Sequence, residues 1–143
     1  SSRRVVMLDV GLVSIGAVHE WWDQAEPYIE DSCREANTDL TPLEVKIKVL
    51  SGEWVLVVVF DEDTHHIEGA VVVHVYNRLT DRVAFITAIG GKFITNGYSF
   101  ERLRALLKDM GATCIEGNVR DSVLKLLGRL GFVKKSTTIT YTL

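Results

Sequence analysis

Val83-Ala-Phe-Ile-Thr-Ala-Ile89 is a short apolar run rich in β-formers, and Gly90-Gly91 ends it. The stretch that it opens, Val83 to Phe132, decides the fold. After a loop, Ser99 is a good N-cap, and Phe100, Leu103, Leu106, Leu107 and Met110 recur on one helical face. Gly111 stands where a left-handed cap belongs. Thr113-Cys-Ile-Glu116 is a second short strand. Asn118 then caps a helix bearing Val119, Val123, Leu126, Leu127 and Leu130, closed by Gly131, with Phe132 free to fold back on the last turn. Strand, helix, strand, helix in this order implies two parallel strands joined by a right-handed crossover. Such a unit brings one functional feature with it. The helix N-terminus near Ser99 offers unpaired backbone N–H groups, which suit an anion.

The rest of the chain extends this unit. Arg4 to Val10 is a first strand, with Gly11 starting a turn. From Gly16 onward, Val18, Trp21, Trp22, Ala25 and Ile29 mark a helical face, with a kink or break expected near Glu26 because Pro27 lies inside it. The paired tryptophans suit a core or a platform, or the lining of an acceptor cleft. Trp54 to Phe60 and Glu68 to Tyr76 are strands of a hairpin, the first apolar on both faces. Their loop, Asp61-Glu-Asp-Thr-His-His66, holds three acids and two histidines, but no further ligand is spaced to complete a metal site. From Thr138 to Leu143, Ile139, Tyr141 and Leu143 alternate with threonines, the pattern of a half-exposed final strand.

Composition bounds the function. With 143 residues, 47% of them apolar and 24% charged, positions 1–143 make one globular domain. A net charge of −3 exerts no global pull toward nucleic acid or anionic membrane. The longest apolar run, Trp54 to Phe60, is too short for a bilayer. Asp9 interrupts the apolar patch behind Ser1-Ser-Arg-Arg, so no secretory signal is expected. Cys33 and Cys114, far apart, suit two free buried thiols in a reducing compartment, hence the cytoplasm.

The block from about Ala88 to Phe132 resembles the second half of the GCN5-related N-acetyltransferase fold, on Ala88-Ile-Gly-Gly91, Ile115-Glu-Gly117 and Leu130-Gly-Phe132. The likeness is nearest to short, divergent members encoded by bacteriophages, and it extends more weakly over nearly the whole chain. It implies an α/β fold with a mostly antiparallel mixed sheet, about six or seven strands and three or four helices. The central parallel strands would splay to admit acetyl-coenzyme A. It also bears on Thr41 to Val49. There a capping box (Thr41, Pro42, Glu44) competes with a strand-like alternation of Leu43, Val45, Ile47 and Val49, and the resemblance tips the choice to a helix. The resulting element order is not that of a doubly wound nucleotide fold, in which helices alternate with every strand.

Acyl transfer from a thioester to an amine needs the pyrophosphate held, the carbonyl polarised, the ammonium deprotonated and the thiolate protonated. In the family a Gln/Arg-x-x-Gly-x-Gly/Ala turn holds the pyrophosphate. The matching register here is Ile94-Thr-Asn-Gly97-Tyr-Ser99, which retains Gly97 but has Ile94, Tyr98 and Ser99 at altered positions. The resemblance places the acyl end of the cofactor at Ala88 and Ile89. No carboxylate lies between Val83 and Ile89, so His74, which shares a strand face with Glu68 and Tyr76, is the candidate base. The family's acid, a tyrosine, falls at Leu127, and its helix-start asparagine at Arg120. Two functions follow. One is a divergent N-acetyltransferase acting on an amine acceptor, with His74 and Tyr76 as catalytic residues. The other is a non-catalytic binding or assembly protein with a protein partner, in a phage particle or the infected host.

Overall fold

A strand apolar on both faces needs a layer of helix on each side, and Val55–Asp61 is that strand. A computed structural model describes residues 6–36, 39–137 and 139–143. Among them β1 (Leu8–Val13), β2 (Val55–Asp61), β3 (Ile67–Asn77), β4 (Arg82–Gly91) and β5 (Cys114–Gly117) form one five-stranded sheet in chain order. Pairing is antiparallel from β1 to β4, and β4 runs parallel to β5. The helices are α1 (Val18–Glu35), α2 (Pro42–Leu50), the single turn α3 (Lys92–Thr95), α4 (Gly97–Asp109) and α5 (Asp121–Gly128).

Alternate residues of β2 and β3 feed two separate cores, as a period of two demands. Leu56, Val58, Ala70 and Val72 meet Trp22, Ala25 and Ile29 of α1 and Val45 and Val49 of α2. Val57, Val59, Val71 and Val73 meet Phe93, Phe100, Leu103 and Leu107 on the opposite side. The capping box at α2 forms as expected, with Thr41 and Glu44 each accepting the other's backbone N–H. No helix among the described residues is long and apolar enough to cross a membrane.

Several expectations are corrected. Among the described residues the sheet has five strands where six or seven were expected, and five α-helices are present, one of them the extra turn α3. β1 starts at Leu8 and runs through Gly11, which pairs with Val58 and so does not start a turn; Arg4 and Val5 lie outside the described residues. α1 continues unbroken across Pro27. That proline is exposed, so water can take the carbonyl it leaves without a donor, while the opposite face stays locked in the core. The expected final strand is absent from the described residues. Thr138 lies outside the described residues, and residues 139–143 carry no ladder. Alternation gives a segment two faces but does not supply the edge it must pair with.

The end of β4 is closely approached by β3 on one side and by α1 on the other. A Cβ on Gly90 would lie 3.1 Å from the carbonyl oxygen of Tyr28. At Gly91, φ is +69° and a Cβ would lie 2.4 Å from the carbonyl oxygen of Glu68. Gly131 also has positive φ, +103°, as a helix-closing glycine should, but a Cβ there meets nothing within 4 Å. The two sites therefore separate backbone strain from collision. Gly131→Val should cost somewhat more than ~1 kcal/mol, the conformational penalty alone. Gly91→Ala should cost at least twice that, because backbone must also move. Urea denaturation of both variants checks the ranking; equal losses would mean that β3 and α1 yield freely around Gly91.

Candidate functional site

β4 and β5 are paired only from Val83↔Cys114 to Ile86↔Gly117. Beyond that point β4 continues to Gly91 while the chain after Gly117 turns away toward α5. The splay leaves a cleft of about 200 Å³. One wall is β4 from Ile86 to Gly91, the other is Asn118, Val119, Arg120 and Val123, and Tyr28, Asp31, Ser32 and Glu35 of α1 cover it. The volume is below the ~300–1,000 Å³ usual for a whole ligand, and suits the narrow end of one.

β4 is bulged at the point of divergence. Val72 pairs with Ala88 but Val73 pairs with Ile86, so Thr87 is the extra residue. Its hydroxyl donates to the carbonyl oxygen of Val72 at 3.1 Å. Two residues on, the N–H of Ile89 leaves the sheet ladder and donates to Ser32 Oγ at 3.0 Å. An N–H presented at a bulge beside a cleft is a ready hydrogen-bond donor for a carbonyl oxygen. Because Ser32 Oγ accepts there, its own proton is free for an acceptor in the cleft.

The mouth is charged. Asp31 pairs with Arg34, and Arg120 Nη1 lies 3.5 Å from Glu35 Oε2 while its Nη2 donates to the carbonyl oxygen of Arg34 at 3.2 Å. Arg120 thus ties the start of α5 to the end of α1 across the opening. This use explains a second correction. α5 begins at Asp121 after an Arg120 N-cap that makes no side-chain cap bond, and Asn118 and Val119 precede the helix as cleft wall.

Of the residues expected from sequence, Ala88 and Ile89 line the cleft. Gly97, Tyr98 and Ser99 form the first turn of α4, outside the lining. Asn96, not Ser99, is the N-cap: its Oδ1 accepts from Ser99 N–H at 3.0 Å, and Ser99 is fully buried one turn in. The N–H groups of Gly97 and Tyr98, the first two helical residues, keep no intrahelical acceptor. Tyr98 is 58% exposed. His74 and Tyr76 stack side by side on β3, ring centroids 5.1 Å apart, with Trp54 6.3 Å from His74. His74 lies two residues along from Val72, the partner of Ala88, so roughly 7 Å further down the same face, outside the cleft lining. Leu127 is buried. Tyr28, Asp31, Ser32 and Glu35 were missed. Their signal was present as a polar stripe at helical spacing beside the apolar stripe of α1.

The closed half of the splay is held by charge. Arg78, in the turn between β3 and β4, grips Glu116 of β5 with two bonds of 3.0 and 2.5 Å, and Lys135 adds one of 2.9 Å. Thr113 N–H donates to the carbonyl oxygen of Arg82 at 2.8 Å just before β5 starts.

A bulged strand diverging from a parallel neighbour, roofed by a helix and followed by a glycine turn into α4, is the architecture of the GCN5-related N-acetyltransferase fold, and solved structures agree. The chain is similar to a probable acetyltransferase, with a TM-score of 0.67 at 10% identity over 94% of this chain and 96% of that one. It is also similar to the aminoglycoside acetyltransferase meta-AAC0020 from an uncultured soil metagenomic sample, in complex with sisomicin, with a TM-score of 0.67 at 13% identity over 95% and 96%. A third is AAC(6')-Iy in complex with the bisubstrate analogue CoA-S-monomethyl-acetylneamine, with a TM-score of 0.66 at 13% identity over 95% and 97%. No family model and no curated protein matches the sequence.

The charge contacts of β5 give a pH signature. Arg78, and then Lys135, hold the Glu116 carboxyl down at about 2, below its ordinary 4.5. A carboxyl lowered by folding stabilises fully above about 4.5 and loses that contribution as pH falls toward about 2. Glu116→Gln should therefore flatten the pH dependence of stability across this acid window and leave neutral-pH structure intact. Thermal melts from pH 7 down to pH 2 would expose the difference. Parallel curves for the two proteins would remove Glu116 as the anchor of β5.

Proposed function

We propose that the chain is an N-acyltransferase that takes the acyl end of acetyl-coenzyme A into the β4–β5 cleft and passes the acetyl group to an amine. The observation that carries this is the Ile89 N–H at the β4 bulge, facing an open cleft where β5 no longer pairs. When bound, acetyl-coenzyme A supplies an activated acetyl thioester. The chain supplies the surroundings. Ile89 N–H is placed to polarise the carbonyl oxygen once Ser32 Oγ yields it. The Ser32 hydroxyl is placed to give a proton to the departing sulfur, the role that buried Leu127 has no group to fill. Asp31 and Glu35 at the mouth are each paired with an arginine, Arg34 and Arg120, so the mouth sets no charge preference for the acceptor. His74, with Tyr76 beside it, is the candidate base on the sheet face, reaching the amine through water.

The nucleotide end is weaker. Asn96 takes the Ser99 N–H that an anion would use, and the turn carries Ile94 and Tyr98 where the family has a polar anchor and minimal bulk. Loss of two hydrogen bonds to a charged group costs ~3–6 kcal/mol, two to four decades in affinity. This favours a second reading, a non-catalytic member of the fold that binds a protein partner.

Acetyl-coenzyme A should bind saturably but weakly, with a dissociation constant no better than ~100 μM. Calorimetry tests this: no heat up to millimolar cofactor leaves the non-catalytic reading, and low-micromolar binding overturns the weak-turn argument. With an amine acceptor in hand, Ser32→Ala should cut turnover ~10–100-fold with little change in cofactor affinity, since a proton donor acts in the transition state. His74→Ala should behave alike if it is the base. Equal loss of binding and rate would make either residue structural.

A further inference from the structure

Four rings lie together on one face of the sheet. Val72 belongs to the core shared with α1 and α2, so His74 and Tyr76, at two-residue steps along β3, share its face. Phe85 of β4 is the register partner of His74. Val55 pairs with Val73, which sets Trp54 opposite His74, and the two ring centroids are 6.3 Å apart. The His74 and Tyr76 rings are 5.1 Å apart. Trp54 packs against the first core, whereas His74, Tyr76 and Phe85 belong to neither core. All four residues are only half-buried. A contiguous patch of this kind marks a place of contact.

The patch adjoins the cleft. Ala88, on the cleft wall, pairs with Val72, and Phe85 pairs with His74, so the rings begin roughly 7 Å from Ala88 along the same face. The carboxylates that border them are already engaged. Glu53, next to Trp54, is paired with Lys48 at 2.5 Å, and Glu116, the partner of Phe85 on β5, is held by Arg78 and Lys135. What the patch offers a ligand is therefore ring faces, which stack another ring and attract a single ammonium group. We propose that this patch binds the acyl acceptor, and that the acceptor is a primary amine carried by a short alkyl arm on an aromatic ring. The proposal rests on the acyl-transfer reading. The acceptor's ring lies on the patch and its arm spans the interval toward Ala88. A polycation is disfavoured, because neither bordering carboxylate is free to pair with a second charge. On transfer, the carbon–sulfur bond of the thioester breaks as the nitrogen–carbon bond of the amide forms. Of the two protons that the ammonium gives up, one ends on sulfur and the other in solvent.

Phenethylamine is the probe, with butylamine and spermidine as ring-free controls. Titrations followed by NMR, without cofactor, should show saturable phenethylamine binding that moves the His74 and Phe85 signals and is at least tenfold tighter than that of either control. Phe85→Leu and Trp54→Leu should each weaken this binding about threefold to tenfold, with an unchanged far-ultraviolet spectrum. Phe85 lies outside both cores, so its variant keeps the test decisive should Trp54→Leu fail to fold. Equal binding of butylamine or spermidine overturns the proposal, and so does phenethylamine binding that Phe85→Leu leaves intact. With acetyl-coenzyme A added, phenethylamine should be acetylated. Ring-selective binding without acetylation keeps the aromatic site and removes the acyl-transfer reading; acetylation of spermidine alone does the reverse.

Discussion

β4 is held along its full length by β3 but along only half of it by β5, and the remainder of the structure follows from that inequality. A strand with one unpaired side must give its N–H and C=O groups another partner or leave them to solvent or ligand. Here the extra residue Thr87 turns the free half outward, α1 comes down over it, and Ser32 takes the Ile89 N–H. Gly90 and Gly91 are what allow α1 and β3 to come that close. The paired half cannot drift open to relieve the rest, because Arg78 and Lys135 hold β5 through Glu116.

On the proposed reading, the acyl part of the site at the cleft and the α4 start that would take the pyrophosphate depart from the family to different degrees for a physical reason. The acyl end is built from backbone: a bulge, an N–H and a strand divergence, none of which depends strongly on side-chain identity. The nucleotide end depends on an uncluttered helix start, which a single Asn cap, one tyrosine and one isoleucine alter. On that reading the fold keeps the part of an acyl-transfer site that is topological and loosens the part that is chemical. Ser32 and the carboxylates of α1 bring polar groups back to the cleft from an element with no motif to advertise them.

Much of the framework was legible because its signals are local. The periodicity from Val83 to Phe132, the capping box at Thr41 and the apolar run at Trp54 each fix an element through its own neighbours. The errors have the same origin. Pro27 looked like a break because a missing N–H is visible in sequence, while the solvent on its side of α1 is not. Ser99 and Asn118 looked like caps because of residue type, although Asn96 and Arg120 hold those positions once the chain direction is set.

Sequence alone determined the element order from β1 to α5 apart from the single turn α3, the parallel β4–β5 pair and the positive-φ closure at Gly131. Tertiary structure alone decided what faces Ala88 and Ile89 across the cleft. The meeting of Ser32 with Ile89 spans α1 and β4, and the Arg120 strap spans α5 and α1; neither has a periodicity to betray it. It also decided the closing alternation, because a strand is defined by its pairing partner, and Ile139 to Leu143 pairs with no strand among the described residues.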